Sequence, residues 1–171
     1  RTGKDPAALR FEYSPAGKPS LAPGRGSVPL HFNASGSSGF ALVALRCGAA
    51  VGVDLEAIRA RPDGDALATR LLSGDEREEF LRLPETERTG RFFEYWARKE
   101  AVAKAIGTGL REGLDRLSLH PWPGNGTFRL DVAGREAPSP LWVAPLALPV
   151  PGFAAALASP RRFGTIDVQE W

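Results

Sequence analysis

Apolar positions along this chain follow two periods, and the change from one to the other divides it into zones. Residues 1–30 follow neither: Pro15, Gly17, Pro19, Pro23, Gly24, Gly26 and Pro29 interrupt every candidate element. From His31 the texture becomes strand-like. His31–Ala34 reads as a short strand, Ser35 to Gly39 as a tight loop of small residues, and Phe40–Cys47 as a buried strand. Gly48-Ala49-Ala50 turns the chain into Val51–Ile58, a third strand close enough in sequence for an antiparallel meander.

The period then lengthens. Asp65–Leu72 is a short helix, and Ser73-Gly74-Asp75-Glu76 places acidic residues in the first turn of a second, running to Leu83 before Pro84. The longest helix is predicted over Glu85–Ile106. Phe92, Phe93, Trp96, Val102 and Ile106 recur there at helical spacing, and Gly107 ends it. Five further strands are predicted: Leu117–His120, Thr127–Val132, Leu141–Leu148, Phe153–Leu157 and Phe163–Val168, each bounded by Gly, Pro or Asn. Strands, helices and strands again imply an α+β fold, an antiparallel sheet packed with one long helix.

Composition narrows the classes. With 171 residues and 43% apolar content the chain can bury one core, as one domain or as two small lobes sharing it. Lysine and arginine number 22 against 20 acids, a net charge of +2 that leaves no nucleic-acid footprint. No stretch reaches the roughly 20 apolar residues of a membrane span, so no membrane partner is expected. Cys47 is the single cysteine, which excludes an internal disulfide and points to a reducing, cytoplasmic setting. Its neighbours Ala41–Leu45 predict a small buried side chain rather than a nucleophile. There is no methionine at all, which leads us to expect that an N-terminal segment is missing.

Two features carry chemistry. Asp54 and Glu56 lie two apart in an otherwise apolar strand and therefore share a face. Burying two carboxylates needs a cation: Arg59 and Arg61 are the plain candidates, a metal the other. In the long helix Trp96, Glu100 and Lys104 stand one turn apart, either as a surface ion pair or as one wall of a site. Asp54, Glu56 and Glu100 together would offer three oxygen ligands with no Cys/His cluster, a set that suits Mg²⁺ beside a phosphate, with Lys104 facing an anionic substrate. No Walker-type loop offers a different phosphate site.

Val51-Gly52-Val53-Asp54-Leu55-Glu56 and Trp96-Ala97-Arg98-Lys99-Glu100-Ala101-Val102-Ala103-Lys104 resemble the V-G-V-D-x-E and W-x-x-K-E-x-x-x-K motifs of 4′-phosphopantetheinyl transferases. Gly17-Lys18-Pro19-Ser20-Leu21 and His31-Phe32-Asn33-Ala34-Ser35 are similar to upstream stretches of the larger, surfactin-synthetase-activating type. The resemblance covers residues 17–104. It implies transfer of the phosphopantetheine arm of coenzyme A to a serine of an acyl, peptidyl or polyketide carrier protein, in fatty-acid, polyketide or nonribosomal-peptide synthesis. It also implies Mg²⁺ held by Asp54, Glu56 and Glu100, and Glu100 or a water on the ion as the base. Lys104 would steady the pyrophosphate, and Lys18 and Ser35 would contact the nucleotide and its phosphates. The carrier would dock by a helix on exposed apolar surface of the second half.

Two departures accompany the resemblance. The family's S-H-S reads Ser35-Gly36-Ser37 here, which leaves a backbone N–H where a histidine would help hold coenzyme A. The larger type is a pseudo-dimer of two lobes. Residues 1–50 read as the remnant of a first lobe carrying coenzyme A-binding motifs, and 51–171 as a second lobe carrying the metal site. Both departures motivate an alternative, a non-catalytic domain that binds coenzyme A or a carrier protein without turnover.

Overall fold

A computed structural model describes residues 5–15, 17–22, 28–61, 63–107, 114–119, 124, 126–130 and 140–170. The architecture is α+β. Strands β1 (Phe11–Tyr13) and β2 (Pro19–Leu21) form a short hairpin within the turn-rich N-terminal stretch, and β3 (Leu30–Ser37) pairs antiparallel with β4 (Phe40–Cys47). Strand β5 (Gly52–Ala57) begins a separate sheet with β6 (Phe128–Leu130), β7 (Leu141–Pro145) and β8 (Phe153–Ser159), ordered β5-β8-β7-β6 and antiparallel throughout.

Helices α1 (Gly64–Leu71), α2 (Gly74–Arg82) and α3 (Glu85–Ile106) lie where the periodicity predicts them. Ser73 caps α2 in a full capping box with Glu76, and Gly107, at φ 78°, ends α3. Among the described residues no helix is long and apolar enough to cross a membrane.

The core is a helix laid on a sheet of small side chains. Ala154, Ala156 and Ala158 of β8, with Leu141 and Val143 of β7, face Ala101, Val102 and Ala105 of α3. Alanines on the strand let the helix axis come close, since little side-chain volume separates the backbones. Val51, Val53 and Leu157 form a second cluster on the opposite face, covered by Leu42, Ala44, Leu146, Phe163 and Ile166.

Five expectations are corrected. The loop predicted at Ser35–Gly39 shrinks to the two residues Ser38 and Gly39, both at positive φ, so β3 runs on through Ser37. The meander breaks after β4, because β5 takes its ladder from β8, about a hundred residues away in sequence. In place of a ladder, alternate side chains of β3 serve the free edge of β5: Asn33 Oδ1 accepts from Val53 N–H (2.8 Å) and Ser37 Oγ from Ala57 N–H (3.0 Å).

Cys47 is exposed rather than buried. Strand parity puts it on the outward face of β4 with Val43 and Leu45, while Leu42 and Ala44 point inward. Leu117–Leu119 forms no strand: it follows a 3-10 turn at Leu114–Arg116, and the Leu119 amide donates to a Glu76 carboxylate oxygen instead of a ladder partner. Phe163–Val168 has no ladder either and is held by Phe163 and Ile166 in the second cluster, with the Arg46 guanidinium 4.8 Å above the Phe163 ring. His120, residues 131 and 132 of the predicted Thr127–Val132 strand, and the loop at 108–110 lie outside the described residues.

Candidate active site

The two motif segments meet where β5 crosses the end of α3, and Gly52 makes the crossing possible. A Cβ built on it would overlap the Ala101 carbonyl oxygen and the Ala105 amide, and would lie 2.9 Å from the Lys104 carbonyl carbon. Backbone therefore touches backbone at this position, and no other residue fits without moving the helix.

The crossing also sets where the next side chains on that face of β5 can reach. Asp54 shares the Gly52 face and meets the side chain of Lys104, with Nζ 2.6 Å from Oδ1. Ser35, reaching across from β3, donates to the same Oδ1 at 2.9 Å and accepts from Lys104 Nζ at 3.0 Å. A three-membered polar cluster is thus built from β3, β5 and α3.

It is unevenly satisfied. The Asp54 side chain is 4% exposed and that of Lys104 29%. The second oxygen, Asp54 Oδ2, is buried with no hydrogen-bond partner among the described residues. A buried carboxylate oxygen without a donor is costly, and a hard cation is one of the few groups that offsets the cost.

Glu56, next on that face, is half-buried. Burial pushes its carboxyl above the ordinary value, the Asp54 charge adds to the rise, Lys104 and Arg59 oppose it, and Glu100 raises it further. Asp54, Glu56 and Glu100 therefore lie in one electrostatic neighbourhood. Among the described residues no three His, Cys, Asp or Glu side chains are gathered tightly enough to form a ready-made metal cage. The donor chemistry and the open Asp54 oxygen still fit a hard divalent ion.

Lys18 stands differently from the expectation of a phosphate contact. Its ammonium points to three backbone carbonyls, those of Lys104 (2.5 Å), Val51 (3.3 Å) and Ala105 (3.4 Å), and burial lowers its pKa. Gly36 is on the outward face of β3, across from Ala41, so a side chain there would project away from the face that carries Ser35.

Lys99, the lysine of the second motif, is fully buried. Its Nζ donates to Glu76 Oε2 (2.5 Å) and to the carbonyls of Leu71 and Leu114 (2.9 Å each). Burial lowers its pKa and Glu76 opposes the fall. Glu76 escaped the sequence reading as a partner for this lysine. The signal available was the capping box, which fixes where its carboxylate points without revealing what lies beyond.

Residues 50–158 match the family described as the 4′-phosphopantetheinyl transferase superfamily. The chain is similar to the 4′-phosphopantetheinyl transferase HetI of Nostoc sp., 37% identical over 117 residues, which cover 68% of this chain and 49% of HetI. It is also similar to the 4′-phosphopantetheinyl transferase psf-1 of Bacillus pumilus, 35% identical over 129 residues, 75% of this chain and 52% of that protein. AcpT of Escherichia coli, a 4′-phosphopantetheinyl transferase by name, is 35% identical over 95 residues, 56% of this chain and 47% of its own length. The chain spans about half the length of the curated relatives it matches.

Proposed function

The chain belongs to the 4′-phosphopantetheinyl transferase superfamily, and from that premise we propose that it moves the phosphopantetheine arm of coenzyme A to a serine hydroxyl of a carrier protein. The observation that carries this reading is the buried, open oxygen of Asp54 beside Lys104, at the crossing of the two motif segments. Asp54, Glu56 and Glu100 are the proposed holders of Mg²⁺. When bound, such an ion neutralises phosphate charge and orients the pyrophosphate for in-line displacement.

The chain's own side chains do the rest. Lys104, partly exposed, presents an ammonium to the pyrophosphate from the Asp54–Ser35 cluster. Ser35 is the proposed contact to the same phosphates. Glu100, one turn before Lys104, takes the proton from the attacking serine as its oxygen bonds to phosphorus and the nucleotide phosphate leaves. We place residues 1–50 in a supporting lobe, whose Lys18 meets the backbone at the end of α3. A cytoplasmic setting is part of the proposal and rests on the single cysteine.

The test is intact-mass spectrometry of an apo carrier protein incubated with the chain, coenzyme A and Mg²⁺. The expected outcome is one added phosphopantetheine per carrier, lost when the carrier serine is replaced. Coenzyme A binding with no transfer at any enzyme concentration would move the reading to a binding domain.

A further inference from the structure

The Lys18 ammonium is bonded to the backbone carbonyl of Lys104, and nothing in the transferase reading requires it. The last carbonyls of an α-helix lack intrahelical donors, and a cation near them is stabilising. In α3 the Gly107 amide closes on the Ala103 carbonyl. The carbonyls of Lys104 and Ala105 receive the Lys18 ammonium instead, and its remaining contact goes to Val51, the residue that leads into β5. Three carbonyls match the three protons of an ammonium.

The cap comes from the chain's first hairpin, 86 residues before the helix residue it serves. A Cβ at Gly107 would meet the Lys18 Cδ at 3.5 Å, an ordinary van der Waals contact, so the lysine stem lies directly against the residue that stops the helix. On the other side of the same backbone the Lys104 side chain extends to Asp54 and Ser35.

The geometry points to Lys18 as a positioning residue: it locks the last turn of α3 onto the start of β5 and so aims the Lys104 ammonium at the Asp54 site. Resting on the transferase reading, this gives Lys18 a role exerted through Lys104 rather than through the nucleotide phosphates. Charge at Lys18 then matters to turnover and little to coenzyme A capture.

The experiment compares wild type with Lys18→Met, Lys18→Arg, Lys104→Met and the Lys18→Met/Lys104→Met double variant. Lys18→Met is expected to lower kcat about tenfold, the worth of one lost charge-assisted contact, with KM for coenzyme A within about twofold. Lys18→Arg, which still donates to carbonyls, restores at least about half of kcat. In the Lys104→Met background Lys18→Met costs less than about twofold, since residues acting as a unit are not additive.

Hydrogen exchange supplies a readout that needs no turnover. The amides of residues 104–107 exchange about tenfold faster in Lys18→Met than in wild type, and stay near wild type in Lys18→Arg. A rise in KM for coenzyme A at constant kcat, additive losses in the double variant, or unchanged last-turn exchange would each overturn the proposal. Wild type without transfer activity sinks the transferase reading alone, and the cap then stands or falls on exchange. Should Lys18→Met fail to fold, Lys18→Arg against wild type decides by the same readouts, and loss of kcat or protection in the arginine variant counts against the cap.

Discussion

Two lysine–carboxylate pairs hang from the same helix five residues apart, and they are opposites. At 100° per residue their side chains leave α3 about 140° apart. On one side Lys99 and Glu76 are both 0% exposed, with Nζ and Oε2 2.5 Å apart. Every proton of that ammonium has an acceptor, and both Glu76 oxygens are engaged: Oε2 by Lys99 and the Ser73 amide, Oε1 by the Leu119 amide. On the other side Lys104 and Asp54 are nearly as close, at 2.6 Å, yet the lysine is partly exposed and Asp54 Oδ2 has no donor among the described residues. A pair that closes all its valences can only hold parts together. A pair that leaves a buried oxygen open has capacity for a ligand, at a cost in stability that the surrounding packing must offset.

The sharpest way to separate the two is to neutralise one acid in each. Asp54→Asn keeps the shape and removes the charge; transfer to a carrier protein is expected to fall by about a hundredfold or more, while the melting temperature stays within roughly 3 °C. Mass spectrometry of the carrier and a melting curve read both. Lys99→Met should behave in reverse. It strands a buried Glu76 and costs about 3–5 kcal/mol, roughly 10 °C in Tm at this chain length. Adding Glu76→Leu removes the stranded charge and is expected to recover at least about half of that loss, with transfer kept within about tenfold of wild type. If Lys99→Met/Glu76→Leu abolishes transfer while remaining folded, the buried pair is part of the chemistry and the contrast fails.

Smaller effects test how the open site is assembled. Gly52→Ala forces a methyl into the α3 backbone; denaturant unfolding is expected to show a loss of about 1–3 kcal/mol, with reduced transfer as Lys104 moves from Asp54. Asn33→Ala leaves the Val53 amide without an acceptor at the β5 edge and should cost about 1–2 kcal/mol by the same measurement.

How far these features could be read from the sequence depends on how local each one is. Pro84 and Gly107 delimit α3 because each acts on its own stretch of backbone, and the Ser73 box does the same for α2. Asp54 and Lys104 were legible as chemistry because an acid in an apolar strand and a lysine one turn beyond a glutamate are conspicuous in isolation, and the structure brings those two together. Partnerships across long separations were not legible. That β5 pairs with β8, and that β3 offers side chains where backbone was expected, depends on which edges remain free after folding. The exposure of Cys47 turns on strand parity, which an almost wholly apolar run conceals. Glu76 resembled any helix-capping acid until the Lys99 ammonium was seen against it.

The most direct measurement is the melting temperature of wild type and Asp54→Asn, each with and without millimolar Mg²⁺ plus coenzyme A. Ligands that engage the open carboxylate stabilise only the protein that has it, and at about a hundred times Kd the shift should be roughly 5–10 °C for wild type and close to zero for Asp54→Asn. Equal shifts in both proteins, or none in wild type, would contradict a metal and coenzyme A site at Asp54.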